Sequence, residues 1–267
     1  MLRGTGNVVD TGSPRLRGER EGAILRLILD NETRMNALNV DMLTALKRVF
    51  TELLDEPSVR VVTLAGAGDR AFASGVDLTV LSSDEAGAHD AASAYADALQ
   101  AVREVRQATI AVIRGFCLGG GLSLALCTDI RICDDSAEFG IPAARIGLGY
   151  PDVEPLLQTV GPGWAAEILF TGRRLSSSEA LHAGIVNRVV AAADLISAAQ
   201  DLASSITRNA PLSVAASKVA IREYRKEAGD RERTLIARMI ADCASSHDYS
   251  EGKKAFAERR EPTFRGS

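Results

Sequence analysis

Aromatic residues are scarce in this chain: Phe, Trp and Tyr make up 4% of 267 residues. A stacking platform for single-stranded nucleic acid needs more rings than that on a basic surface. A basic excess is also missing. The formal net charge of -4 argues against a general polyanion binder, although it leaves room for a local basic patch. The core must be built largely from Ala, Val, Leu and Ile. Cysteine is limited to Cys117, Cys127, Cys133 and Cys243, with no C-x-x-C pair among them. The first three lie in apolar or strand-like stretches, so they read as reduced core thiols in a cytoplasmic protein. The histidines, His89, His182 and His247, are far apart and have no Cys or His neighbour, so no metal site is expected. Long apolar runs are absent. The longest, Gly115 to Cys127, is too short for a bilayer and contains three consecutive glycines. Residues 1–20 lack the apolar segment of a secretory signal. These absences leave a globular protein with no nucleic-acid or membrane partner.

Two common catalytic loops are also missing. No G-x-x-x-x-G-K-[ST] occurs and no G-x-S-x-G, which removes the P-loop and the usual esterase elbow. Two segments match G-x-G-x-x-A, at Gly66 to Ala71 and at Gly161 to Ala166. The first follows a strand but opens no helix. The second opens a helix but follows no clear strand. Neither has the context of a dinucleotide site.

What is present reads as alternating strands and helices. Residues 1–21 form a loose polar lead-in, and Ala23 to Leu29 is a strand. Met42, Leu43, Leu46, Val49, Phe50, Leu53 and Leu54 recur at helical spacing, with Asp41 near the start and Pro57 past the end. Val59 to Ala65 is a buried strand. Tyr95, Ala98, Leu99, Val102 and Val105 mark the next helix, and Thr109 to Arg114 the next strand. Leu122 to Cys127 is an apolar helix, and Ile130 to Cys133 a short strand. Later come helices near 164–170 and 177–183 and a strand at Ile185 to Val190, then mostly helix to about residue 260. The fold class is α/β: a core over 22–195 and a helical region over 196–267.

Two loops call for chemistry. One is Ala71-Phe72-Ala73-Ser74-Gly75-Val76-Asp77-Leu78. The other runs from Arg114 to Leu124 and contains Gly119-Gly120-Gly121. Each follows a buried strand. Three glycines at a strand-to-helix junction cost backbone entropy and clear the side chains away, so something approaches that backbone closely. Free N–H groups at a helix start suit a ligand oxygen that becomes negative. Close packing of helix on strand is the plainer explanation of the glycines alone.

Together these loops resemble the crotonase superfamily, the enoyl-CoA hydratase/isomerase family. Eight segments appear in the family's order: Met35 to Asn39, Ala71 to Leu78, Gly115 to Leu124, Cys127 to Ile130, Phe139 to Pro142, Thr171-Gly172, Ala180 to Val186, and Glu251 through Phe264. The resemblance runs from about residue 22 to the end. It implies a crotonase-like spiral of ββα units, a helical C-terminal trimerisation region, and homotrimers or dimers of trimers. It also implies an acyl-CoA thioester ligand, with coenzyme A entering as part of the substrate and no permanently bound cofactor. By position, the backbone N–H groups of Val76 and Gly120, next to Gly119, form an oxyanion hole for a thioester enolate. Arg34 and the Ala73-Ser74 backbone lie near the CoA nucleotide. Val76 is bulkier than the family's frequent alanine, which narrows the pocket.

The resemblance also exposes a gap. Family hydratases use two glutamates to activate water and deliver a proton. This chain has Ser123 at one of those positions and Ala143 at the other. Each acid–base contribution is typically worth about 10²–10⁴-fold. Efficient hydration is therefore expected to be lost while thioester binding is kept. The next loop, Ala144 to Glu154, offers substitutes. Resembling decarboxylases place a tyrosine where Tyr150 falls. Resembling dienoyl isomerases and dehalogenases place an aspartate near Asp152. Tyr150 could hold a substrate carboxylate or donate a proton, and Asp152 or Glu154 could move a proton along an acyl chain. The plainer reading is a surface turn with a packed tyrosine and solvated acids. Isomerase- or decarboxylase-type chemistry is favoured; a residual hydratase and a non-catalytic acyl-CoA binding protein are the alternatives.

Overall fold

The computed structural model describes residues 4–5, 7–77 and 85–267. Leu78, the last residue of the first loop, lies outside them. In chain order the first elements are β1 (Gly4–Thr5), β2 (Val8–Val9), β3 (Leu16–Glu21), β4 (Ile24–Leu29) and α1 (Val40–Glu52). Then come β5 (Val61–Gly66), β6 (Ala71–Ala73), α2 (Glu85–Glu104), β7 (Ala108–Ile113), β8 (Phe116–Leu118) and α3 (Gly120–Leu126). The third set is β9 (Ile130–Asp134), β10 (Glu138–Gly140), α4 (Val153–Thr171), β11 (Leu175–Ser176), α5 (Ser177–His182) and β12 (Arg188–Val190). Four helices finish the chain: α6 (Leu195–Thr207), α7 (Pro211–Tyr224), α8 (Arg233–Ser245) and α9 (His247–Glu258).

The strands form two sheets. The larger has the order β1-β2-β3-β4-β5-β7-β9-β12, and the smaller the order β11-β10-β8-β6. From β4 to β12 every neighbour in the larger sheet is parallel. Its central strand β7 is buried at all six positions, as expected when both faces of a parallel sheet are covered. Each turn of the chain gives one strand to each sheet and then a helix: β5, β6, α2; β7, β8, α3; β9, β10, α4. This is the spiral of ββα units. One core packs between the sheets and α1 to α4; it holds Leu25, Leu27, Leu46, Phe50, Phe72, Leu99, Leu122 and Phe139. A second core joins the other face of the large sheet (Ile24, Val61, Ile110, Ile132) to Leu195, Ala199 and Ala203 of α6.

Several sequence-based expectations need correction. The lead-in over 1–21 is not loose throughout. Strand β3 pairs antiparallel with the whole of β4, from Leu16 opposite Leu29 to Glu21 opposite Ile24. Its polar Arg-Gly-Glu-Arg-Glu run hides the strand, because most of it faces away from the core. The helix cap at α1 is Asn39, whose side chain accepts from the Met42 N–H, while Asp41 accepts from the Ser13 hydroxyl. The second G-x-G-x-x-A segment is a kink: Gly161 has φ 74 and ψ 172 inside α4, just before Pro162. The strand expected over Ile185 to Val190 is shorter, with pairing only at Arg188–Val190.

Cys117, Cys127 and Cys133 are buried in the main core. Burial pushes the Cys117 thiol up, Cys127 to about 11 and Cys133 to about 12. They behave as small apolar side chains with no thiolate available at ordinary pH. His182 meets Trp164 edge-on with ring centroids 6.0 Å apart. Among the described residues no helix is long and apolar enough to cross a membrane.

Candidate active site

The first loop is held from below by two asparagines. Asn36 is 1% exposed and adopts φ 55. Its side-chain amide donates to the Ala67 carbonyl (2.9 Å) and the Ala71 carbonyl (2.7 Å), and its Oδ1 accepts from the Asn31 N–H (3.1 Å). Asn31 in turn donates to the Ala37 carbonyl. Asparagine tolerates the left-handed region better than most residues. The motif Met35 to Asn39 thus ties the β5–β6 connection to the segment that enters α1.

That segment then aims the loop. Leu38 makes an isolated parallel bridge with Val76: its N–H donates to the Gly75 carbonyl (2.8 Å), and its carbonyl accepts from the Asp77 N–H (2.9 Å). In such a bridge the flanking residues supply the bonds, so the N–H of Val76 itself points to the opposite side. Gly75 has φ 123, which glycine adopts without strain. On that side stand Gly119 and Gly120. Gly119 caps α3 with φ 50 and donates its N–H to the Gly140 carbonyl (2.8 Å). Gly120 is the first residue of α3, where a backbone N–H has no partner within the helix. Among the described residues, no acceptor is recorded for the N–H of Val76 or of Gly120. A Cβ at Gly120 would lie 2.8 Å from Val76 Cγ2 and 3.2 Å from Tyr95 Cε2, so only glycine leaves this slot open. At Gly121 a Cβ would strike the Ala73 carbonyl oxygen.

A polar cluster stands beside the glycines. The Ser123 and Tyr150 hydroxyls are 2.6 Å apart. The Tyr95 hydroxyl donates to Asp152 Oδ2 at 2.6 Å. Ser123 is fully buried on α3, and Tyr95 and Tyr150 are partly buried against the main core, as is Ala143. Burial first, then the Asp152 carboxylate, push the Tyr95 hydroxyl far above its ordinary range. Burial also raises Tyr150, opposed by its hydrogen bond with Ser123. Both phenols therefore stay protonated at ordinary pH; Tyr95 donates to Asp152, and in the Ser123–Tyr150 pair either hydroxyl can be the donor.

The structure sorts the expected residues. Val76, Gly119, Gly120, Ser123, Tyr150 and Asp152 gather around the α3 N-terminus. Ala143 supplies only a methyl group, and its carbonyl accepts from the Leu148 N–H (3.0 Å). Arg34, Ala73 and Ser74 lie along the other flank of the Val76 loop. Arg34 Nη1 is 3.3 Å from the Asp77 carboxylate and is largely exposed. The Ser74 N–H is spent on the Met35 carbonyl (3.0 Å), and the Ala73 carbonyl packs against Gly121. That flank can offer the Arg34 guanidinium to a phosphate more readily than the Ser74 N–H. Glu154 stands on the α4 surface, where it accepts from Gln158 (2.9 Å). Tyr95 is the member of this cluster that the sequence does not single out; it reads there as one position of an apolar helical stripe. Its signal is chemical: a tyrosine in an Ala-Leu-Val stripe carries a hydroxyl that needs a partner when buried.

The sequence model of the family described as Enoyl-CoA hydratase/isomerase matches residues 19–267. The carnitinyl-CoA dehydratase of Proteus mirabilis (strain HI4320) is 37% identical over 252 residues, covering 92% of this chain and 96% of that protein. The carnitinyl-CoA dehydratase of Salmonella enteritidis PT4 is 34% identical over 261 residues, covering 95% and 99%. Among solved structures, an enoyl-CoA hydratase/carnithine racemase from Magnetospirillum magneticum superposes with a TM-score of 0.89 at 34% identity, covering 96% of this chain and 97% of that one.

Proposed function

Because the chain belongs to the enoyl-CoA hydratase/isomerase family, we propose that it binds an acyl-CoA thioester and moves a proton along the acyl chain through an enolate, in preference to adding water. The observation that carries this reading is the carboxylate of Asp152. It sits in the cluster beside Gly120, whereas the two positions that resemble the hydratase glutamates are Ser123 and Ala143.

In this reading the thioester oxygen lies between the N–H groups of Val76 and Gly120. With a 3-enoyl-CoA, Asp152 Oδ1 takes a proton from the carbon next to the thioester carbonyl. The C–H electron pair moves to the oxygen, and the two N–H donors stabilise the charge that develops. Donors fixed in advance need no reorganisation, and losing one typically costs about 10²–10³ in rate. The pair then returns through the chain, the Asp152 carboxyl delivers its proton to the far carbon of the old double bond, and a 2-enoyl-CoA results. Tyr150, held by Ser123, faces the same space as a neutral donor and serves a polar group on the acyl chain. Arg34 meets the CoA phosphates at the mouth. In this reading the chain works as a homotrimer or dimer of trimers, and the exposed rings of Phe170 and Phe256 are candidates for the contacts between copies.

A second reading, removal of water from a 3-hydroxyacyl-CoA, is favoured by the dehydratase names of the relatives. It requires Asp152 and the Tyr150–Ser123 pair to do the work of two glutamates. The test is a panel on the purified protein: 3-enoyl-CoA isomerisation, crotonyl-CoA hydration, methylmalonyl-CoA decarboxylation and CoA-ester binding. Isomerisation as the fastest reaction is expected. Hydration at a rate typical of hydratases overturns the reading, and tight binding without any turnover makes the chain an acyl-CoA binding protein.

A further inference from the structure

We propose that Tyr95 is a positioning residue for Asp152: its hydroxyl holds one carboxylate oxygen so that the other faces the acyl carbon beside the Gly120 N–H. This rests on the reading of Asp152 as the proton carrier.

Three observations point the same way. First, the bond is short and joins distant parts of the chain: Tyr95 on α2 reaches Asp152 Oδ2 at 2.6 Å, 57 residues on. Hydrogen bonds to a charged acceptor are about twice as strong as neutral ones. Second, Asp152 gives up a local role to make it. It occupies the cap position of α4, where an aspartate normally accepts from the first-turn N–H groups, yet its side chain makes no such bond. A cap of that kind is typically worth about 1 kcal/mol. The carboxylate is turned instead toward Tyr95, and no donor among the described residues is recorded on Oδ1. Third, Tyr95 also borders the oxyanion slot. A Cβ at Gly120 would lie 3.2 Å from its Cε2 and 3.3 Å from its hydroxyl oxygen. One side chain therefore touches both the helix start that receives negative charge and the carboxylate that moves the proton. The ring is anchored from its own helix, where Leu99 and Val102 are buried in the main core.

This makes the pair one functional unit, and units of that kind are non-additive. The experiment compares wild type, Tyr95→Phe, Asp152→Asn and the double variant in turnover of a 3-enoyl-CoA, with CoA-ester affinity and thermal melting measured alongside. Tyr95→Phe keeps the ring and removes only the hydroxyl, which also bonds Ser123. It is expected to lower kcat about 10- to 100-fold, the loss of a hydrogen bond to a charged group, with KM within about twofold of wild type. The double variant is expected to be no slower than Asp152→Asn alone. A Tyr95→Phe variant with unchanged kcat, with a rise in KM only, or with the same loss on top of Asp152→Asn overturns the role of Tyr95 and leaves Asp152 standing. Asp152→Asn with wild-type turnover overturns the Asp152 reading and the positioning role with it.

Discussion

Replacing Asp152 by asparagine is expected to lower turnover of a 3-enoyl-CoA by about 10²–10⁴-fold, the usual weight of a positioned acid–base group. The substitution keeps the shape and an oxygen that can accept from the Tyr95 hydroxyl, whose bond to Oδ2 is 2.6 Å long. It removes the ability to take a proton. Acyl-CoA affinity is expected to stay within about threefold, because in the proposed binding mode backbone donors on other elements hold the thioester oxygen. Stopped assays with the purified variant and its affinity for a saturated acyl-CoA separate the two effects. Parallel loss of binding and turnover would make Asp152 a packing residue of the α4 start.

The second large effect falls on stability. Asn36→Ala removes two donors and one acceptor from a site that is 1% exposed. It leaves the Ala67 and Ala71 carbonyls and the Asn31 N–H without their side-chain partner. It also places alanine at φ 55, where asparagine is better tolerated. Unsatisfied buried groups cost about 1–3 kcal/mol each, so a loss of about 3–5 kcal/mol is expected. That is a large part of the stability of an ordinary domain. Urea unfolding measures it, with Asn36→Gly as the control that relieves the backbone but not the lost bonds. Glycine is expected to recover no more than about 1 kcal/mol. An alanine variant within about 1 kcal/mol of wild type would mean that other contacts hold the loop.

The legible parts of this protein are those whose physics is local. Val59 to Ala65 and Thr109 to Arg114 announce buried strands, and Gly119 to Gly121 announce a backbone that something approaches. Chemistry delivered by backbone N–H groups leaves such a trace, because it demands glycine at fixed places. Strand β3 was illegible because one face of an antiparallel hairpin can be almost wholly polar, and its apolar anchor is the lone Leu16. The kink at Gly161 was illegible because a Gly-Pro-Gly run marks a break without saying whether a helix resumes. Tyr95 was hidden for a different reason. Its partner lies on another turn of the spiral, and nothing in an apolar helical stripe shows where a hydroxyl points. The absent glutamates, by contrast, could be read directly at Ser123 and Ala143, since a missing side chain needs no geometry to be missing. The structure adds that Ser123 is engaged with Tyr150 at 2.6 Å, which makes the serine part of the polar cluster beside Gly120.

This chain is expected to make an acyl-CoA enolate without adding water. Incubation of a 3-enoyl-CoA with the purified protein in D₂O, followed by mass spectrometry and NMR of the acyl chain, measures this directly. Turnover is expected to give a 2-enoyl-CoA with no hydroxyl on the chain beyond the background rate, and deuterium at the far carbon of the old double bond only to the extent that the Asp152 carboxyl exchanges its proton with solvent before delivering it. A 3-hydroxyacyl-CoA formed at a hydratase's pace, or recovery of the 3-enoyl-CoA unconverted, would contradict this.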